Sequence, residues 1–543
     1  MGGHQKSYEI SGRGAINPCS EVTFFKKTCL ISGFNGGIMS NKNKKSALLL
    51  LLLLCTASLS ASSVLELVGA QDSVHPFTSR IIATGAEAAY FNPADLATLD
   101  DSFKIGFGMT IQNKSIKHMA RPDGYDISSH IYDVDTANMG AGIDGFYAPM
   151  ATADLINKRG SADYDSFDGV IILGAVKNIA KKSLEKHGGQ LTVGVYALLP
   201  FSGIQTQEPF FNDEREQYFS NSLHYELYGD RLKQFSAAAA LAGRFGRYFR
   251  IGAGVAISTY TKTQNRVFVP SPTDPAVQII NAKMNVGASV MPYFSFVANP
   301  VAGWHLTGTF HFPTNTGIVK LNNEMQVLGW EYEDGSKKGY LTANSSMTAG
   351  YQPIKLSVGT YYNFEVKDYT LTPMAGFEWS RWSTYINRHG EKPGDKWNDT
   401  FSATAGLIMR HPERRAAFGF TYVPSPVPAQ TGRENYVDND RFGFSLGYQE
   451  YFSITKEVKI SAGISASLQW LLSRTEEKDL ERSMKDGGLV DELPDDAEYY
   501  GSKATQEEFE EIKAGLQTNN PGFPGWTSEG FLMNIGLAVE VIW

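Results

Sequence analysis

The sequence predicts an all-β protein, a transmembrane antiparallel β-barrel of about 14 strands. Segments of alternating apolar and polar residues recur throughout residues 62–543. That part of the chain contains no uninterrupted apolar run of about 20 residues, which a membrane-spanning helix would need. The connections between segments are short on one side and long on the other. This sorting is typical of an outer-membrane barrel, and a soluble sandwich has no reason to show it.

The final segment, 531–543, shows the alternation most clearly. Its sequence FLMNIGLAVEVIW puts Phe, Met, Ile, Leu, Val, Val and Trp on one face and a smaller, partly polar set on the other. A soluble sandwich strand can show the same pattern. A terminal aromatic residue at the edge of such a stripe favours a closing barrel strand, with Trp543 as an anchor at the membrane interface.

Residues 1–61 are predicted to be a leader and signal peptide. Three lysines precede the apolar run 47–54, and small residues up to Ala61 fit a cleavage site. We expect the true start of translation at Met39. Cys55 raises the alternative of a lipoprotein, although a leucine stands where a small residue is wanted just before it. All three cysteines precede residue 62, so the body has no disulfide, metal thiolate or cysteine nucleophile.

Charge and motifs exclude several function classes. Residues 62–543 carry 42 basic and 55 acidic side chains, a formal charge of −13, which argues against nucleic acid as a partner. No GxSxG motif, HExxH motif or phosphate loop occurs in this part of the chain. We therefore expect no enzyme activity, no cofactor and no metal.

Fourteen strands account for the alternation, an even number as such barrels require. They are predicted at 103–116, 169–179, 191–205, 234–245, 249–263, 282–297, 304–319, 354–364, 369–385, 401–410, 416–423, 441–451, 459–472 and 531–543.

The predicted connections after even-numbered strands are short, and most of those after odd-numbered strands are long. Because short turns face the periplasm in outer-membrane barrels, both termini are expected there. The last long loop contains a capping box before a short charged helix at 506–516. Its charges are either solvated or bridged to lipopolysaccharide by divalent ions. The predicted long extracellular loops are 117–168, 206–233, 320–353 and 473–528.

Residues 62–100 contain no clear amphipathic strand. Asn92-Pro93 forces a turn, and residues 94–99 can form one short helix after it. One interpretation is an N-terminal linker, and the other is a plug that folds back into the barrel.

Three stretches resemble the FadL/TodX family of outer-membrane transporters for long-chain fatty acids and other hydrophobic compounds. They are FNPADLATL at 91–99, FEWSRWSTY at 377–385 and SPVPAQTGRENYVDNDRFGFSLGY at 425–448. They occur in the family's order, and the resemblance extends over 85–543. Arg381 stands where the family more often has an acidic residue, and the loops 117–168 and 473–528 are unusually long.

The resemblance implies that residues 62–100 form a hatch, gated at Asn92, Pro93 and Ala94. It also implies a kink in the third strand, through which a hydrophobic ligand leaves sideways into the membrane. Pro200 and Gly203, with Phe201 between them, could supply that kink, because proline removes a ladder hydrogen bond and glycine weakens pairing. The alternative is an ordinary proline at a strand end.

Charged residues in the predicted lumen are candidate ligand contacts. Asp438, Asp440 and Arg441 stand at the start of a strand, and Arg381 alternates with its neighbours so that it could reach the lumen. Each is either a ligand contact or structural pairing, since a charge in a lumen must be paired. His305 and His311 share one strand face about 20 Å apart, too far to bind one metal, and are interpreted as lumen polar groups.

The predicted function is passive uptake of hydrophobic molecules across a Gram-negative outer membrane. Ligand capture at the extracellular loops, hatch rearrangement and lateral release would be the steps. The alternatives are a plugged or gated porin for polar solutes and a barrel enzyme such as a lipase. A fatty-acid-like ligand, outer-membrane lipid and lipopolysaccharide, and the barrel-assembly machinery are the expected partners of a monomer.

Overall fold

The structure is a computed structural model. It describes residues 63–119, 161–163, 166–180, 189–201, 223–225, 227–228, 235–269, 279–313, 319–327, 341–347, 351–387, 392–432, 434–479, 482, 522 and 524–543. The chain divides into two compact units, Met1–Thr56 and Ala57–Trp543. All described residues belong to the second unit, so the predicted leader, signal peptide and start at Met39 lie outside the described residues.

Fourteen strands form one closed antiparallel barrel. Each pairs with the next along the chain, and the last closes on the first from Ser102↔Ile542 to His118↔Trp526. The predicted fold class and strand number are confirmed. The strands are β1 (Ser102–His118), β2 (Ser166–Asn178), β3 (Gln190–Pro200), β4 (Ser236–Phe245), β5 (Phe249–Val269), β6 (Ile279–Val301), β7 (Trp304–His311), β8 (Lys355–Tyr362), β9 (Tyr369–Ser380), β10 (Thr400–His411), β11 (Arg414–Val423), β12 (Arg441–Ser453), β13 (Lys459–Glu477) and β14 (Gly525–Ile542).

Further short strands occur beside the barrel, several of them in stretches predicted as long loops. Ser161–Asp163 prolongs the pairing of β1, and Phe364–Val366 prolongs that of β8 with β9. Val319–Val327 and Leu341–Met347 pair as a hairpin, and the first of these two also runs parallel to the end of β5. His224–Tyr225 pairs in parallel with Tyr436–Val437.

The barrel is apolar outside and polar inside. In β1, Phe103, Ile105 and Phe107 are exposed on the outer wall, whereas Lys104 and Thr110 are buried on the inner face. The same alternation continues to β14, so the apolar stripe predicted from the sequence faces outward. An apolar outer band around a polar interior is the arrangement of a barrel in a bilayer.

The N-terminal segment, residues 63–101, contains the described helices of more than three residues. α1 is Ser63–Val68 and α2 is Ala88–Phe91. A 3₁₀-helix at Pro93–Thr98 stands where a helix was expected at 94–99. It begins one residue earlier because proline, with its fixed φ and missing N–H, suits the first position of a helix. No helix in the described part of the chain is long and apolar enough to cross a membrane.

The N-terminal segment lies inside the ring of strands, because strands on all sides of the barrel contact it. The Ala94 amide donates to Ser295 Oγ of β6 at 2.7 Å, and Gln469 Nε2 of β13 donates to the Leu67 carbonyl at 2.7 Å. Glycine at Gly536 of β14 permits the closest approach, since a Cβ there would lie 1.7 Å from the carbonyl oxygen of Gln71. The backbone of the segment can therefore approach the wall closely because the wall has no side chain at this position.

Candidate functional site

A cavity lies between the N-terminal segment and strands β8 to β13. Its water-accessible volume is about 150 Å³. Apolar side chains of the segment form one wall, and strand residues with small hydroxyl groups form much of the other. The segment contributes Leu65, Leu67, Phe77, Ile81 and Phe91, and the far wall includes Leu227, Ser357, Trp382, Ser402, Thr404, Thr421, Val423, Pro424 and Pro426.

Four charged residues meet at the edge of this cavity, and we call them the four-charge cluster: Glu66, Arg80, Lys355 and Glu378. Arg80 Nε lies 3.1 Å from Glu378 Oε2, and Lys355 Nζ lies 3.2 Å from Glu378 Oε1. Arg80 and Lys355 also both contact the carboxylate of Glu66. Positive and negative groups thus alternate, and the cluster joins the N-terminal segment to β8 and β9 with no net charge.

Neutral side chains complete the cluster. Ser357 donates to Glu378 Oε2 at 2.7 Å, Tyr90 donates to Glu66, and Arg80 Nη1 donates to His311 Nε2 at 2.8 Å. Burial disfavours the ionised form of Glu66. The Arg80 and Lys355 charges outweigh that effect and hold its pKa well below the usual range. Glu66 is therefore ionised at neutral pH.

Two further ion-paired groups tether the segment elsewhere around the ring. Lys104 of β1 lies 3.1 Å from Asp72 and 2.9 Å from Glu87. Across the lumen, Arg250 of β5 lies 3.2 Å from Asp95. The segment is therefore held at three places, each by charged groups that are shielded from water. Removing one partner of such a buried ion pair is costly.

The predicted gate residues lie where α2 meets the 3₁₀-helix of the N-terminal segment. Asn92 is buried, and its Nδ2 donates to the carbonyls of Arg80 and Ile81 at 3.4 and 3.5 Å. Pro93 and Ala94 pack directly on Gly252, where a Cβ would lie 2.4 Å from the Pro93 carbonyl carbon. The turn is thus fixed to the wall in this conformation.

The predicted lateral opening lies where β3 ends. The ladder between β3 and β4 stops at Leu198↔Ser236, and the ladder with β2 reaches Pro200↔Val170. Phe201 is exposed, and its ring covers Gly169, where a Cβ would lie 2.2 Å from the ring. Gly203 lies outside the described residues.

The structure places the charged residues predicted near 438–441 in hydrogen bonds with neighbouring residues. Asp440 accepts hydrogen bonds from the Ser425 amide and from Tyr422, each at 2.7 Å. Asp438 is buried, which raises its pKa, and the nearby Arg441 charge opposes that shift. Arg441 donates to Tyr228 at 3.2 Å and also lines the cavity. Of this group, Arg441 alone is both charged and part of the cavity wall.

Arg381 does not reach the cavity. It follows the end of β9, is exposed, and shares the outward register of Phe377. Glu378, three residues earlier, is the lumen charge of that stretch. The predicted anchor Trp543 is half-exposed, and its amide donates to the Asp101 carbonyl at 2.9 Å.

The two histidines are lumen groups, as expected. His311 stacks on Tyr293 with ring centroids 4.8 Å apart, and His305 stacks on Tyr361 at 4.2 Å. Sequence reasoning did not single out Glu66, Arg80 or Lys355. One sequence signal could have found Lys355 and Glu378. Each is a charged residue at an inward-facing position of a strand whose other residues are mostly apolar or small.

Neither family models nor curated proteins match the chain. The structure is similar to that of a Pseudomonas aeruginosa FadL homologue, with a TM-score of 0.47 and 13% identity over 90% of this chain and 98% of that one. It is also similar to the P. putida toluene transporter TodX, with a TM-score of 0.41 and 10% identity over 87% and 99% of the two chains. For the Ralstonia pickettii toluene transporter TbuX the values are 0.39 and 12%, over 87% and 99%.

Proposed function

We propose that the protein is an outer-membrane transport protein for the passive uptake of hydrophobic molecules, such as long-chain fatty acids or related lipids and hydrocarbons. One observation carries the proposal: a partly apolar cavity inside a closed barrel, bounded on one side by an N-terminal segment held in place by ion pairs. The family resemblance of the three sequence stretches points the same way. Catalysis has no part in this function.

The cavity suits an apolar guest. Leu65, Phe77 and Phe91 present carbon surface to it from the segment, and Trp382 does so from the strand side. Each methylene group that leaves water for such a site gains about 0.8 kcal/mol. Capture at the extracellular loops followed by descent into the cavity therefore needs no energy source.

The N-terminal segment acts as the hatch in this proposal. With residues 63–101 docked, the segment occupies the lumen beside the cavity. Pro93 and Ala94, which follow Asn92, rest on the wall of β5 and β6. Onward movement of a ligand requires this segment to shift. The ion pairs to Lys104, Arg250 and the four-charge cluster set the free energy that the shift costs.

Release is proposed to occur sideways, beside Pro200, Phe201 and Gly203. Pairing of β3 to β4 already ends two residues before Pro200, and the exposed Phe201 ring covers the adjacent wall at Gly169. A ligand that leaves here exchanges one apolar environment for another, so desolvation costs it little. The outer membrane of a Gram-negative bacterium, with lipopolysaccharide as a neighbour and the barrel-assembly machinery as the inserting partner, is the proposed setting for a monomer.

Uptake and conductance measured side by side test the function class. The protein is expressed in a Gram-negative host that lacks its own fatty-acid uptake channel, and entry of labelled oleate and toluene is followed. We expect uptake of at least one of them above the vector control, and no sustained ion current from the purified protein in planar bilayers. Sustained current without hydrophobic uptake would favour a gated porin. Hydrolysis of an ester substrate by the purified protein would favour a lipase.

A further inference from the structure

The short-turn end of the lumen contains two pairs of arginines that face each other across neighbouring strands. Arg244 of β4 is paired with Arg250 of β5, and Arg410 of β10 is paired with Arg415 of β11. Both pairs lie within a few residues of a short turn after an even-numbered strand, so they are at the same end of the barrel. Like charges directly opposed on adjacent strands destabilise a sheet.

Register places the second pair inside the barrel. Ile408 and Ala417 are paired with each other and buried against the N-terminal segment, whereas Met409 is exposed on the outer wall. Because side chains alternate along a strand, Arg410 and Arg415 share the inward face of Ile408 and Ala417.

Among the residues that the structure describes, few carboxylates face these arginines. Asp95 lies 3.2 Å from Arg250 and interacts electrostatically with Arg410 as well. Glu540 interacts with Arg415, but Lys104 is its stronger electrostatic partner. The positive charge of these arginines therefore exceeds the negative charge of the carboxylates near them.

Hydrogen bonding leaves the second pair poorly satisfied. In the described part of the chain the Arg410 guanidinium forms no hydrogen bond or ion pair. The Arg415 guanidinium donates to Gln449 Oε1 at 3.5 Å and lies over the Tyr451 ring, 5.6 Å from its centroid. The Nε atoms of Arg415 and of the deeply buried Arg250 have no partner there either. A buried guanidinium N–H without an acceptor costs free energy that an oxyanion would recover.

The pKa of His75, on the N-terminal segment, reflects this excess of positive charge. Burial lowers the pKa of His75 to about 3, and the charges of Arg415 and Arg410 contribute to that shift. The imidazole is therefore neutral at pH 7 and adds no further cation to the region.

We infer that Arg410 and Arg415, with Arg250 beside them, form an oxyanion-binding site at the short-turn end of the lumen. Its ligand carries a carboxylate or phosphate group, which guanidinium groups bind through paired N–H donors. The group belongs either to an amphipathic molecule inside the lumen or to a free oxyanion that enters from the short-turn side. The site is separate from the cavity bounded by the four-charge cluster, and it does not depend on hydrophobic uptake.

Calorimetric titrations at constant ionic strength in a non-ionic detergent test the site. Inorganic phosphate, dodecanoate and dodecanol are titrated into the intact protein and into a double variant, Arg410→Gln with Arg415→Gln. Arg414→Gln is the matched control, because this arginine is adjacent in sequence but exposed on the outer side. Heat-modifiable migration on unboiled gels verifies that each variant is a folded barrel.

The three ligands distinguish the sources. Loss of at least about tenfold in affinity for both anions in the double variant, with dodecanol unaffected, identifies a general oxyanion site. The same loss for dodecanoate alone identifies an amphipath's head group. Unchanged affinity for both anions, or an equal loss in Arg414→Gln, overturns the proposal.

Thermal unfolding of Arg410→Gln alone gives an independent test if the double variant does not assemble. Removing one of two opposed cations should raise the unfolding temperature in anion-free buffer, and added phosphate or dodecanoate should then stabilise the native protein more than the variant. A lower unfolding temperature for Arg410→Gln in anion-free buffer, with Arg414→Gln unchanged, would show that the pair is already satisfied and would overturn the proposal. Either result leaves the oleate and toluene uptake assay unaffected.

Discussion

Glu66→Gln should release the N-terminal segment while the barrel stays folded. The substitution keeps the side-chain shape but removes one of two carboxylates from the four-charge cluster. Arg80 and Lys355 then share Glu378, and the buried cluster acquires a net positive charge. Glu66 has only 7% side-chain exposure, so solvent compensates little. Removing one partner of a buried ion pair costs about 3–5 kcal/mol, which favours undocking by roughly 10²- to 5 × 10³-fold.

Trypsin cleavage after Arg80 measures this equilibrium, because the Arg80 side chain is 13% exposed when docked. When opening and closing are fast relative to cleavage, the cleavage rate follows the population of the open form. We expect cleavage of Glu66→Gln to be faster by at least about 10²-fold. Glu457→Gln, which makes the same change on an exposed short turn, should match the native protein. Cleavage of Glu66→Gln within twofold of the native rate would refute the role of the cluster.

Three other outcomes are expected. Gly536→Val should displace the segment without preventing barrel assembly, since a Cβ there would lie 1.7 Å from the Gln71 carbonyl oxygen; faster hydrogen exchange of segment amides would report this. Because docking lowers the pKa of Glu66, the ionised side chain stabilises the docked segment fully above its ordinary pKa of 4.5, and this stabilisation is lost progressively as the pH falls below that value. Cleavage of the segment by pepsin, which unlike trypsin is active at low pH, measures this loss. Replacing Pro200 and Gly203 together with strand-forming residues should reduce growth on a hydrophobic carbon source while ligand binding persists, and normal growth would favour an axial path.

The barrel itself was predictable because its two constraints are written in the sequence. A bilayer outside and a polar interior impose alternation, as in Phe103, Ile105 and Phe107 against Lys104. Closure without edges imposes an even series of antiparallel strands whose connections differ by side. Both signals survive over many residues, so errors in single strands do not change the total.

Strand ends were less predictable than strand number. β5 and β6 pair continuously from Phe249↔Ala298 to Phe268↔Ile279, several residues beyond the predicted 249–263 and 282–297. Pairing between backbones does not require alternating side chains, so a ladder can continue after the pattern that identified it has ended. The same reason explains the hairpin found within the predicted loop 320–353.

Arg381 and Glu378 illustrate why the site was harder to predict. Arg381 was predicted because it stands where the family more often has an acidic residue, but its register with Phe377 directs it outward. Glu378 occupies the inward position, and its partner Arg80 comes from a segment nearly 300 residues away in sequence. Such a cluster depends on where the N-terminal segment docks, and local patterns contain no information about that.

A reversible disulfide between the segment and the wall tests whether the N-terminal segment is the hatch. The Ala94 amide and Ser295 Oγ are 2.7 Å apart, and the chain has no cysteine after Cys55, so Ala94→Cys with Ser295→Cys can be crosslinked without competing thiols once the leader is removed. Uptake of labelled oleate or toluene, whichever the native protein transports, is measured before and after reduction, with each single-cysteine variant as a control. Oxidation should reduce uptake to the vector background, and reduction should restore it. Equal uptake by the crosslinked and reduced forms would contradict the claim that this segment is the hatch.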